Sequence, residues 1–182
     1  MKPDAARAAT ASQTVGPFFH LGLKSPAGEA TIGPGSDAER VRIAVSVVDG
    51  DGRPVDDALL EVWHLAAGSG GVEPAAHYGR WPTDKDGGCE FETVRPAGTP
   101  DGRGGWQAPH INGCLFARGL LRPVYTRIYF AGDPALAGDP ALALVPPERR
   151  DTLLAHPDPD APGRWRFDIR LQGTRETVFF DV

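Results

Sequence analysis

Between residues 41 and 47 the chain alternates strictly: Val41, Ile43, Val45 and Val47 are separated by Arg42, Ala44 and Ser46. An apolar residue at every second position suits a strand with one buried face, and a helix would scatter such a row around its axis. The same period returns at 59–64, where Leu60, Val62 and His64 face opposite to Leu59, Glu61 and Trp63. It returns at 123–131, where Val124, Thr126, Ile128 and Phe130 oppose Tyr125, Arg127 and Tyr129. At 164–171, Trp165, Phe167, Ile169 and Leu171 alternate with charged residues. Further strands are expected at 89–94, 110–117 and 177–180. Asp49-Gly50-Asp51-Gly52 and Asp86-Gly87-Gly88 are turn sequences, and 95–106 is a Gly/Pro-rich loop. The 23 Gly and 18 Pro exclude a helix bundle. Short strands separated by such turns predict an all-β fold, a two-sheet antiparallel β-sandwich. One short helix is expected at 148–155, after Pro146-Pro147 and with an acid in its first turn.

A chain of 182 residues supports one core, and neither an internal repeat nor a second domain is visible. Residues 1 to about 13 are small and polar, and 24–38 is loop by composition. The expected division is an N-terminal arm over 1–23, docking on a partner, and a sandwich domain over 24–182. A net charge of −5 argues against a nucleic-acid partner. No stretch approaches the roughly 20 apolar residues of a membrane span, and no apolar run follows Lys2, so the cytoplasm is the expected location. Cys89 and Cys114 are expected to be buried free thiols, and Trp63, Trp81, Trp106 and Trp165 to pack in the core.

Self-contained catalytic motifs are missing from the sequence. His20, His64, His77, His110 and His156 are scattered, with no pair at metal-binding spacing. There is no nucleophile elbow, P-loop or dinucleotide fingerprint. The most unusual segment is Trp106-Gln107-Ala108-Pro109-His110-Ile111-Asn112, just after the Gly-rich loop. It reads either as a capped strand with a half-buried histidine or as a remodelled metal or ligand pocket.

Three long motifs decide between these readings: TASQTVGPFF at 10–19, APHINGCLFARG at 108–119 and RFDIRLQGTRETVFFD at 166–181. Together with YGRWPTDKDGGCEFETVRP at 78–96 they resemble the intradiol ring-cleavage dioxygenases, and within that family its alpha chains. The resemblance covers nearly the whole chain, excepting 24–38 and 66–77. It implies a two-sheet β-sandwich and catalytic relatives that bind Fe(III) through two Tyr and two His. A hard trivalent ion prefers anionic oxygen, which phenolates supply.

Carried over by position, that ligand set is degenerate here. His110 matches the first histidine, and Asn112 stands where the second belongs. Thr99 is the nearest match to one tyrosine, and 66–77 contains no counterpart of the other. Gln107 replaces an arginine. The resemblance therefore implies that Fe(III) is bound by a homologous beta subunit and that this chain has no catalytic residue or metal of its own. It implies that Thr14, Gly16, Pro17 and Phe18 form part of the wall around a small aromatic substrate that reacts with O2. Phe18 stands where the family's alpha chains carry Tyr. Arg118 is the candidate to hold a substrate carboxylate by a charge-assisted contact. A subunit acting on another catechol, and a metal-free scaffold or binding module, are the competing readings.

Overall fold

The computed structural model describes residues 10–16, 19, 23, 39–66 and 76–181. Among the described residues ten strands occur in order: β1 (Arg40–Val48), β2 (Leu59–Leu65), β3 (Ala76–Pro82), β4 (Gly88–Val94), β5 (Thr99–Pro100), β6 (Trp106–Gln107), β7 (His110–Phe116), β8 (Val124–Phe130), β9 (Leu154–Pro157) and β10 (Arg164–Arg170). Eight are hydrogen-bonded in the order β3-β2-β7-β8-β9-β10-β1-β4, and β5 and β6 form a separate ribbon.

Strand β9 joins the two halves of the sandwich. Its Leu154 and Ala155 pair with Tyr129 and Phe130 of β8. Its next two residues, His156 and Pro157, pair with Arg166 and Trp165 of β10. The inward rows of both halves meet in one core that includes Ile43, Leu60, Ile111, Ile128 and Phe167, all within 1% of complete burial. Trp81 of β3 stacks on Phe91 of β4 with ring centroids 4.6 Å apart, so the two end strands also meet through side chains.

Three tight loops share one chemistry. Asp49 Oδ1 accepts from the N–H groups of Asp51 and Arg53, Asp84 Oδ1 from those of Asp86 and Gly88, and Asp101 Oδ1 from those of Arg103 and Gly105. In each the residue three positions after the Asp is a glycine with φ between 75° and 91°. Other side chains are strained in that left-handed region.

Several sequence expectations are corrected. Pairing is not antiparallel throughout, because β1 with β10 and β8 with β9 run parallel. No tight turn links the members of either pair, so no local signal sets their direction. The helix expected at 148–155 is a 3-10 segment over Pro147–Leu153, and residues 154 and 155 are strand. A second 3-10 segment (Pro134–Gly138) and helix α1 (Pro140–Ala143) precede it, the latter capped by Asp139. The strand expected at 177–180 is a single bridge, Tyr125 to Phe180. Hydroxyl groups serve its backbone instead: Thr126 Oγ1 donates to the Val178 carbonyl, and Thr152 Oγ1 accepts from the Val178 N–H. Trp63 and Trp106 are exposed rather than core residues. Cys89 and Cys114 are free thiols, the second fully buried and the first partly. No helix among the described residues is long and apolar enough to cross a membrane.

Candidate functional site

Alternation along β7 sends Ile111 and Leu115 into the core and puts His110, Asn112 and Cys114 on the opposite face. Strand register then builds a row across that face: Tyr78, Trp63, Asn112 and Arg127 stand side by side on β3, β2, β7 and β8. His110 stands beside Tyr129, with ring centroids 5.5 Å apart. His110 and Asn112, the positions expected to match a ligand pair, therefore share one aromatic sheet face.

Most of the polar side chains on this face already have protein partners. His110 Nδ1 lies 2.8 Å from the Ala108 carbonyl, and burial lowers the pKa of the ring, which keeps it neutral. Asn112 is a neutral amide whose Nδ2 donates to the Trp63 carbonyl at 3.4 Å. Tyr129 is fully buried; its hydroxyl donates to Asp139 Oδ1 and accepts from Arg127. Burial pushes its pKa up to about 12. Tyr78 is raised by burial and by Glu61, and Tyr125 by Cys114 and burial. All three tyrosines thus favour the phenol, whereas Fe(III) calls for phenolate. The described residues of this face, with one histidine, an amide and no phenolate, do not fit an iron site. Among the described residues no group of three or more His, Cys, Asp or Glu is arranged to hold a metal ion.

The Gly/Pro-rich loop before β7 is closed by its own ribbon. Thr99 pairs with Gln107, and Pro100 with Trp106. Asp139, which sequence reasoning missed, anchors the short link from this ribbon to β7. It is 1% exposed and accepts from the Ala108 N–H at 2.8 Å, the Leu142 N–H at 2.7 Å and the Tyr129 hydroxyl. Its only sequence signal is the Asp-Pro pair that opens α1.

The structure brings two of the expected substrate-wall residues to one place. Thr14 Oγ1 accepts a hydrogen bond of 2.8 Å from the N–H of Gly119. Gly119 lies in the turn after β7, where the Leu120 N–H reaches the Ala117 carbonyl and Gly119 has φ +89°. Arg118 occupies the same turn and forms an ion pair through Nε with Asp57, a residue the sequence reading did not single out. Gly16 is exposed, and its carbonyl accepts from the Phe19 N–H at 3.2 Å. Pro17 and Phe18 lie outside the described residues, as does the loop at 24–38.

A β-sandwich of this topology, with a buried histidine at the start of β7, defines the class. Residues 15–173 match the family described as Dioxygenase, and the chain belongs to the intradiol dioxygenases. Within that family it is 41% identical over 197 residues to the protocatechuate 3,4-dioxygenase alpha chain of Burkholderia cepacia, covering 95% of this chain and 97% of that one. Identity to the protocatechuate 3,4-dioxygenase beta chain of the same organism is 31% over 157 residues, covering 76% and 67% of the two chains. Among solved structures, the 3-chlorocatechol 1,2-dioxygenase of Rhodococcus opacus 1CP is similar with a TM-score of 0.63 at 20% identity. That match covers 80% of this chain, which spans 64% of the enzyme's length.

Proposed function

We propose that this chain is the alpha subunit of a protocatechuate 3,4-dioxygenase, pairing with a homologous beta subunit that holds Fe(III). The assembly opens protocatechuate between its two hydroxyls and places both atoms of O2 in the product, 3-carboxy-cis,cis-muconate, a step of aromatic catabolism. Iron held by the beta subunit would supply Lewis-acid chemistry toward the substrate's two hydroxyls. This chain supplies substrate wall: Thr14, Gly16, Pro17 and Phe18 from the arm, and Arg118 for the substrate carboxylate. Gly and Pro let a backbone approach a flat ring closely. The observation that carries this reading is the hydrogen bond from Gly119 to Thr14, which ties the arm to the turn bearing Arg118.

The test is Arg118→Ala in the assembled enzyme. A charge-assisted contact predicts a KM for protocatechuate raised about ten- to a hundred-fold. Catechol, lacking a carboxylate, should be affected far less, and iron content should not change. Equal losses on both substrates would make Arg118 a folding or interface residue and remove it from the substrate wall.

A further inference from the structure

We propose that Asp57 is a positioning residue for substrate recognition, holding the Arg118 guanidinium in place while the same turn fastens the arm through Gly119 and Thr14. This rests on the reading of Arg118 given under Proposed function.

Strand register brings the pair together. Leu59 of β2 stands opposite Phe116 of β7 in an antiparallel ladder. Asp57 lies two residues before Leu59 and Arg118 two residues after Phe116, both in turns just beyond the paired stretch, and their side chains meet there. The mount beneath Asp57 is firm. Ala58 and Leu59 are fully buried; the Ala58 N–H donates to Thr83 Oγ1 at 3.0 Å, and Thr83 Oγ1 donates to the Val55 carbonyl at 2.7 Å. The Asp57 side chain is 20% exposed against 58% for Arg118, so the carboxylate is the fixed member and the guanidinium the one being held.

The geometry of the contact leaves Arg118 useful. A guanidinium presents five N–H donors in a rigid plane. Asp57 engages Nε, so the edge formed by the two terminal nitrogens points away from Asp57 and keeps the paired donors a carboxylate needs. Unpaired, an arginine this exposed would sample many rotamers, and ordering it on binding would weaken affinity. Asp57 also opposes binding, because its negative charge reduces the local positive potential. The two effects have opposite signs, and an exposed site screens the second more strongly than the first.

The experiment is Asp57→Asn in the assembled enzyme. A positioning role predicts a KM for protocatechuate raised about three- to tenfold, with kcat and the KM for catechol little changed. Asp57→Glu, which keeps the carboxylate, should fall between wild type and Asn, and it supplies the comparison if the Asn variant folds poorly. In an Arg118→Ala background, Asp57→Asn should raise KM no further, because the two residues act as one unit. A purely structural Asp57 would not produce that non-additivity. A KM that rises in Arg118→Ala but stays unchanged or falls in Asp57→Asn overturns the positioning role alone. Unchanged KM in Arg118→Ala as well overturns both this proposal and the carboxylate assignment beneath it.

Discussion

The imidazoles of His64 and His77 lie face to face inside the sandwich, their centroids 5.0 Å apart and their planes within 6° of parallel. They are direct partners in the β2–β3 register, at 5% and 3% exposure. His64 Nε2 is 2.8 Å from the Thr93 hydroxyl of β4. The dry setting and the neighbouring imidazole disfavour a positive charge on His64.

This arrangement makes stability depend on pH. Burial, with smaller contributions from His77 and His110, lowers the His64 pKa from 6.5 to about 4, although a backbone contact at Leu65 opposes the shift. Between those values the unfolded chain binds the proton and the folded chain does not. The contribution is therefore fully present above about pH 6.5 and is lost as pH falls towards 4, by a few kcal/mol at most. Melting temperature should drop over that interval, and His64→Gln should flatten the drop even if it lowers the neutral-pH value. An equally steep drop in the variant would place the acid sensitivity elsewhere.

Asp158 titrates in a lower window. Its side chain is 1% exposed and binds Arg164 and Arg166 with contacts of 2.6 Å, closing the β9–β10 hairpin. The Arg166 hydrogen bond is the main cause lowering its pKa to about 2, with Arg164 and the Asp160 N–H adding to it. A depressed carboxylate stabilises the fold above its ordinary pKa of about 3.9, and that stability is lost as pH falls through 2. Asp158→Asn should lower the melting temperature at pH 7 and reduce the further loss between pH 4 and 2. Chemical denaturation monitored at pH 7, 4 and 2.5 separates the two effects.

Gly79 carries no side chain because a ring occupies the space. A Cβ there would lie 2.1 Å from the Trp81 indole, which also stacks on Phe91. Gly79→Ala should cost about 1–3 kcal/mol by overpacking the junction of β3 and β4. Gly138, with open space around it, is the control, and Gly138→Ala should be near neutral. Comparable unfolding midpoints for the two variants would show that the indole moves aside freely.

Purified alone, the chain should take up no stoichiometric iron and show no tyrosinate-to-iron absorption band. Tyr129, the phenol nearest His110, is buried and tied to Asp139 and Arg127. His110→Ala in the assembled enzyme should leave iron content unchanged. Loss of iron in that variant would make His110 a contributor to the metal site.

Local chemistry was legible wherever a few adjacent residues decide the outcome. Strict alternation marked β1, β2, β8 and β10, and in β2 it set Leu60, Val62 and His64 on the face opposite Glu61 and Trp63. Asp and Gly at fixed offsets marked the turns. His110 and Asn112 were visible as residue identities, and their shared face follows from alternation along β7. The segment 148–155 misled because two prolines and an acid open a 3-10 turn as well as an α-helix, and pairing with β8 claims Leu154 and Ala155. Thr177 to Phe180 misled because a short apolar run shows β character without showing whether a ladder partner is available along its length.

Alternation by itself determined that this chain folds as a β-sandwich, since period-two patterning needs only neighbouring residues. Tertiary structure alone decided which distant residues meet. The Asp57–Arg118 and His64–His77 pairs and the Thr14–Gly119 tie depend on register and on contacts far apart along the chain. A one-residue slip would turn each strand residue to the other face, and that choice is made by packing the whole core at once.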